Sequence, residues 1–342
     1  MNTGNDAPAH LPVFPLPGLP PDLQTLTRYV SRTPLMEHLL MEWLSATLAA
    51  EGGHDALSEL IRARDAGALF AVSTSGGKDS QAQALLLSQI VPPQQRIDIH
   101  ASLGDLEWPG ALELAQDTAT RAGVPFEVVR GKKSLTRMVE ERFRTRPDVP
   151  SWPSALARYC TASAKTLPID SFIRKYADHH GFSTIVSCLG MRADESHARA
   201  KKPIWKPHEA DGAKGRRWNV FLPIHAVPQA WVFAFIAACG ETPHPVYALG
   251  NKRLSCQICI FSAASDLNNA ARAHPEIINR YIRLEDHTGY SMHQNRKYLR
   301  ELTGLAPGAF HPEPGQPLTP GPRLSGERQL SELQAIPLGK AG

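Results

Sequence analysis

Residues 75–80, Ser75-Gly76-Gly77-Lys78-Asp79-Ser80, combine the side chains and spacing needed to hold a polyphosphate. Two adjacent glycines let backbone pass close to an anion, and the free N–H groups of a helix start then point at it. Ser75 and Ser80 add hydroxyl donors, and Lys78 adds a positive charge. The spacing excludes the Gly-x4-Gly-Lys-[Ser/Thr] loop, which needs four residues between its first glycine and Gly-Lys, whereas Gly76 and Gly77 are adjacent. A capped turn with incidental serines would be the inert alternative. Further along, acidic and basic loops recur at intervals that bring them to the same edge.

His100-Ala101-Ser102-Leu103-Gly104-Asp105-Leu106-Glu107-Trp108-Pro109 follows the next apolar run, and Asp105 is a candidate for a ribose hydroxyl or a nucleotide-bound metal. Its alternative is a solvated turn in which Pro109 starts a helix. Gly190-Met191-Arg192-Ala193-Asp194-Glu195-Ser196-His197-Ala198-Arg199 follows another apolar run. Arg192 and Arg199 there suit a nucleotide phosphate or a departing pyrophosphate, and Asp194 and Glu195 could instead offset them.

These loops need a scaffold. Apolar runs near 68–73, 96–101, 126–130, 184–189 and 218–222 alternate with helical patterns near 79–90, 109–122, 134–144, 163–180 and 228–238. That alternation predicts an α/β fold with a doubly wound parallel sheet, whose ligands lie outside the carboxyl ends of the strands. The expected organisation is a Pro-rich extended arm (1–35), N-terminal helices (36–66), a nucleotide-binding domain (67–240), a helical Cys-bearing segment (241–304) and a Pro/Gly-rich tail (305–342).

The 342 residues carry a net charge of +4, so any affinity for nucleic acid must come from local clusters. Residues 130–146 and 199–217 are two such clusters, the second with Trp205 inside it and Trp218 beside it. Both could track a phosphate backbone and stack bases, or be ordinary solvated surfaces. No apolar run of membrane-spanning length and no export signal is present, so a cytoplasmic protein with no membrane partner is expected.

Five cysteines in so long a chain do not make a disulfide framework. Cys188 and Cys239 sit in apolar patterns and read as packing. Cys160, Cys256 and Cys259 sit in polar, turn-rich contexts and are candidate metal ligands, with Lys252 and Arg253 placed to lower the thiol pKa. Three thiolates could bind part of an iron–sulfur cluster or, with His208, His225 or His244, a zinc ion; they could also be unligated. In the helical pattern around 280–292, Glu285 and Asp286 read as capping or pairing residues.

Taken together, S-G-G-K-D-S, H-A-S-L-G-D-L-E-W-P, R-Y-C-T…K-T-L-P-I, G-M-R-A-D-E-S-H-A-R and S-C-Q-I-C resemble the phosphoadenosine phosphosulfate (PAPS) reductase family of PP-loop ATP pyrophosphatases. Within it the phage-type and DNA-phosphorothioation-type members are most similar, and the resemblance spans about 68–290. It implies an adenine nucleotide α-hydrolase-like fold and cleavage of ATP between its α and β phosphates, with Mg²⁺. The site would comprise Lys78, Asp79 and Arg192 as catalytic groups, and Ser75, Gly76, Gly77, Ser80, Asp105, Asp194 and Arg199 as nucleotide-binding groups. It also implies a [4Fe–4S] cluster on Cys160, Cys256 and Cys259, with zinc as the alternative. The expected activity is adenylation coupled to sulfur transfer, with DNA or tRNA as acceptor and a sulfur-donor protein as partner. The rivals are a sulfonucleotide reductase and a non-catalytic nucleotide-binding module of a phage or defence complex. Assimilatory reductases of the family use a cysteine near the C-terminus, and none follows Cys259 here.

Overall fold

The computed structural model describes residues 41–48 and 54–305. The expected arm at 1–35 and the tail from 306 onward lie outside the described residues; within the expected segment 36–66, residues 41–48 are helical and helix α1 spans His54–Asp65.

Six strands form one sheet in the order β3-β2-β1-β4-β6-β5. They are β1 (Leu69–Thr74), β2 (Arg96–Ser102), β3 (Phe126–Arg130), β4 (Thr184–Leu189), β5 (Trp205–Pro207) and β6 (Arg217–Phe221). All pairings are parallel except β5 with β6. The connecting helices are α2 (Lys78–Ile90), α3 (Ala111–Arg121), α4 (Leu135–Thr145), α5 (Leu167–His180) and α6 (Gln229–Ala238). A short helical turn at Tyr159–Thr161 and a π turn at Ala162–Thr166 lead directly into α5.

The central strand β1 is an unbroken apolar run because both of its faces are covered. Phe70 and Val72 point into one core with Leu87 of α2 and Val232 and Phe235 of α6. Leu69 and Ala71 point into the other, with Ile97, Ile99 and Ile185, under Ile173 and Ala177 of α5. The period of two along a strand splits them. Cys188 is buried in the first core and Cys239 packs against it, as expected of packing residues.

The C-terminal helices α7 (Ala264–Ala273), α8 (Pro275–Thr288) and α9 (Leu299–Thr303) build a third core. It takes in Leu106 and Trp108 from the loop after β2, Val139 of α4 and Trp152. Through these residues the Cys-bearing segment is anchored to the carboxyl edge of the sheet. Glu285 has the capping role expected of it: its carboxylate accepts from the Met292 and Leu299 backbone N–H groups, each at 2.7 Å. Burial pushes its pKa up to about 7 against those two bonds. Asp286 pairs with Arg300.

The antiparallel edge strand β5 has no counterpart in the expected pattern, being three residues long and containing a proline. Its register has a consequence for the 199–217 cluster. Trp205 pairs with Phe221 and Pro207 with Asn219, so residues 199–204 lie at the carboxyl edge and 208–216 at the opposite, amino edge. The two tryptophans are not available to stack bases. Trp205 packs on Phe221, and Trp218 is 1% exposed with its indole N–H donating to Ser187 Oγ at 2.9 Å.

Candidate nucleotide site

The chain winds from β1 outward to β3, then crosses back to β4 on the other side of β1. This reversal opens a crevice between the carboxyl ends of β1 and β4, the place where open α/β sheets bind ligands. Residues 75–80 leave β1 there, and residues 190–199 leave β4.

Glycine is required at two points of this crevice. Gly76 has φ +69°, and a Cβ at that position would sit 2.2 Å from the Ala111 carbonyl oxygen at the start of α3. A Cβ on Gly190 would lie 3.0 Å from the backbone of Asp79 and Ser80, so the β4 loop rests directly on the first turn of α2.

The two serines lock the turn. Ser80 Oγ donates to the Gly77 carbonyl at 2.9 Å and accepts from the Ser75 N–H at 3.0 Å. With that proton committed, the Ser75 hydroxyl donates to Ser80 Oγ at 3.1 Å. Ser75 is exposed, whereas Gly76, Gly77, Lys78 and Ser80 are buried. Ser75 is thus the lip of the cradle.

Lys78 and Arg192 meet on one carboxylate. Asp79 accepts from Lys78 Nζ at 2.8 Å through one oxygen and from Arg192 Nε at 2.6 Å through the other. Arg192 also donates to Asp194, and its backbone N–H donates to Glu195 at 3.1 Å. Burial disfavours the charged guanidinium, but the Asp79 and Asp194 carboxylates outweigh it and hold the Arg192 pKa above its ordinary value. The predicted residues Lys78, Asp79, Arg192 and Asp194 therefore form one charge-balanced cluster. Both oxygens of Asp79 serve cations, which does not suit it as a Mg²⁺ ligand.

The remaining predicted residues are paired outside this cluster. Arg199 pairs with Glu195, and Asp105 pairs with Arg280 of α8. The carboxylate that faces inward after β2 is Glu107, which meets His100 Nε2 at 3.1 Å and caps the Leu103 N–H.

Sequence reasoning missed the segment 245–254, which lies across the cradle. The Tyr247 hydroxyl accepts from the Lys78 N–H at 3.0 Å, and Leu254 Cβ lies 3.5 Å from where a Gly77 Cβ would be. Arg253 donates to Glu195 at 2.9 Å, tying the segment to the β4 loop. Lys78 Nζ lies 5.5 Å from the Tyr247 ring and 5.9 Å from the Phe233 ring, cation–π distances that fix the ammonium under this cover. Burial pushes the Tyr247 phenol up to about 12, so it remains a neutral hydroxyl. No motif marks a lone tyrosine 169 residues downstream as a partner of Lys78.

The three cysteines were expected to share a metal. Among the described residues, no three His, Cys, Asp or Glu side chains are grouped so as to hold a metal ion. Cys256 is close enough to Cys259 and Cys160 for their charges to act on it, but burial dominates and pushes its thiol up to about 11. The cation that opposes this is Lys165, not Lys252 or Arg253.

The candidate histidines are engaged as well. His244 bonds the Pro109 carbonyl and the Val246 N–H, His225 bonds the Arg199 carbonyl, and His208 bonds the Ala210 N–H while stacking on Trp218. The described residues thus present no group that holds a metal ion, and no chemistry is derived through zinc or an iron–sulfur cluster. No helix of the described residues is long and apolar enough to cross a membrane.

An uncharacterised 37.8 kDa protein from the gpa 5′ region of Escherichia phage 186 is 27% identical over 256 residues, covering 63% of this chain and 73% of the phage protein. Among solved structures, phosphoadenylyl-sulfate reductase from Candida auris aligns with a TM-score of 0.40 at 14% identity, over 66% of this chain and 97% of that one. The U34-tRNA thiolase NcsA from Methanococcus maripaludis aligns with a TM-score of 0.36 at 16% identity, over 73% and 80%. The family model for the phosphoadenosine phosphosulfate reductase domain matches residues 70–261, from β1 through the Cys256–Cys259 turn, and the chain belongs to that family.

Proposed function

We infer that the chain is a PP-loop enzyme that adenylates a substrate with ATP, releases pyrophosphate and so activates the substrate for sulfur transfer, with nucleic acid as the acceptor. The observation that carries this reading is the pairing of Lys78 and Arg192 on Asp79 at the rim of a glycine–serine turn. Two cations poised where a helix start presents its N–H groups suit the charge that develops on a departing pyrophosphate.

In this reading the Gly76–Gly77 backbone and Ser80 cradle the β and γ phosphates, with Ser75 at the lip. An acceptor oxygen attacks the α-phosphorus, the α–β anhydride bond breaks, and the electron pair leaves on pyrophosphate beside Lys78 and Arg192. Asp79 is a positioning residue that holds both cations. Asp194 holds Arg192, and Glu195 holds Arg199. A hydrosulfide-level sulfur donor, carried by a partner protein, then displaces AMP from the acceptor.

The test is ATP–pyrophosphate exchange by anaerobically purified protein, with and without DNA, tRNA or a phosphosulfate nucleotide. Exchange in the presence of ATP supports the reading, and stimulation by nucleic acid supports the acceptor. The sulfonucleotide reductase alternative is favoured by the family match. It predicts sulfite release from the phosphosulfate nucleotide with no exchange, a result that would replace the first reading.

A further inference from the structure

Beyond the edge strand β3 lies an open groove of about 1000 Å³, walled by the turn after β3, by α4 and by the first half of α5. β3 lies two strands from β1, about 10 Å across the sheet, so this space is separate from the nucleotide crevice although it opens toward the same edge.

Its charge is one-sided. Arg130, Lys132 and Lys133 line it from the turn, Arg142 and Arg146 from α4, and Arg174 and Lys175 from α5, against the single carboxylate of Glu141. The groove therefore holds more net positive charge than the whole chain, which carries +4. Glu141 is already shared between Lys133 and Arg137. Among the described residues, Arg130, Lys132, Arg146 and Lys175 have no acidic partner. Arg142 Nε is buried with no hydrogen-bond partner, although its guanidinium lies 4.5 Å over the Tyr159 ring. A buried donor left unpaired is costly, and it belongs to a side chain that lines the groove.

Between the cations lie flat and apolar groups: Tyr159, Phe172, Met138, and Leu167, which is 59% exposed. Exposed Leu167 and the half-buried rings of Tyr159 and Phe172, interleaved with unpaired cations, fit a ligand that alternates phosphates with accessible ring faces. A duplex offers the phosphates but hides its base faces in the stack, whereas a single strand offers both.

We propose that this groove binds a single-stranded segment of nucleic acid, its phosphates on the cations of the turn after β3 and of the α4 and α5 walls and its bases against Tyr159, Phe172 and Leu167. The proposal rests on nucleic acid being the acceptor, and it adds where the strand lies and that the strand is unpaired.

The test is fluorescence anisotropy with full-length protein and a fluorescein-labelled twelve-nucleotide strand, as DNA, as RNA, and as the corresponding duplex. Both single strands should bind at least ten-fold more tightly than the duplex. About 0.7 of a logarithmic unit of salt dependence is expected per phosphate neutralised, so four to five contacts give a slope of roughly −3. Lys132→Glu with Lys175→Glu, both exposed, one in the turn after β3 and one on α5, should weaken binding at least ten-fold with an unchanged melting temperature. Lys201→Glu with Lys202→Glu, exposed and reached through the opposite edge strand, should change it less than two-fold.

Equal affinity for the duplex, equal loss in both double variants, or no binding by the natural protein would overturn the proposal. ATP–pyrophosphate exchange separates the two readings. Exchange without strand binding removes the groove and leaves adenylation standing; strand binding without exchange does the reverse.

Discussion

The Tyr247 hydroxyl accepts the Lys78 backbone N–H at 3.0 Å, taking a donor that a helix N-terminus would otherwise offer to an anion. Lys78 is buried and Tyr247 half-buried, and 168 residues of chain, including strands β2 to β6, lie between them. The C-terminal segment thus supplies the stand-in for a phosphate oxygen. Tyr247→Phe keeps the ring over Lys78 Nζ and removes only the acceptor. Net hydrogen-bond values of about 1 kcal/mol correspond to roughly five-fold in affinity. The variant should bind a non-hydrolysable ATP analogue about five-fold more tightly by calorimetry. Unchanged or weaker binding would mean that Tyr247 does not compete with the phosphates.

Gly76 and Gly123 separate two costs that a glycine substitution can carry. Both have positive φ, at +69° and +65°, but a Cβ on Gly123 meets nothing within 4 Å while one on Gly76 meets the Ala111 carbonyl at 2.2 Å. Gly123→Ala should cost about 1 kcal/mol, the ordinary penalty of a left-handed residue. Gly76→Ala adds a collision with backbone that cannot turn aside, so its loss in urea unfolding should exceed that of Gly123→Ala by at least about 2 kcal/mol. Equal losses would show that α3 can retreat from the turn.

Asp79 neutralises two cations whose side chains are 3% and 2% exposed. Asp79→Asn keeps the shape and removes the charge, leaving Lys78 without a carboxylate partner and Arg192 with Asp194 alone. Breaking a buried pair by removing one partner costs about 3–5 kcal/mol, and the Asp194 contact should keep the loss near the lower figure. Added pyrophosphate supplies the missing negative charge. It should therefore raise the melting temperature of Asp79→Asn more than that of the natural protein. An equal or smaller shift would place the anion away from Lys78 and Arg192.

Much of this architecture is legible in the sequence because its signals are local. Leu69–Thr74 is apolar on both faces, and the Gly-Gly turn with its flanking serines falls where strand gives way to helix, so neither needs the rest of the chain to be recognised. Partnerships across the chain left no such mark. Asp105 sits in an acidic loop that suits a ribose, yet Arg280 of α8 claims it. Trp205 and Trp218 lie in a basic stretch, yet strand pairing turns both toward the core. Arg174 and Lys175 complete a basic groove only because α5 folds back beside α4, and a helix pattern does not say which neighbour its charged face will meet.

His244 controls the segment that covers the cradle. Its Nδ1 accepts the Val246 N–H at 3.1 Å, which requires that nitrogen to be unprotonated, so Nε2 carries the proton donated to the Pro109 carbonyl at 2.8 Å. Burial lowers its pKa to about 4 despite the Pro109 bond. A folded-state pKa below the unfolded value of 6.5 means the neutral ring stabilises the fold fully above pH 6.5. That contribution, about 3 kcal/mol at most, is lost as pH falls through 4. Protonation places a second N–H against the Val246 N–H, so the turn Pro245–Tyr247 should open and Tyr247 should withdraw from Lys78. Nitrogen-15 NMR should show His244 neutral down to about pH 4 as the Nε2–H tautomer, with the Lys78 amide signal moving in step with it. Titration near pH 6.5, or an Nδ1–H tautomer, would separate His244 from the cover of the nucleotide site.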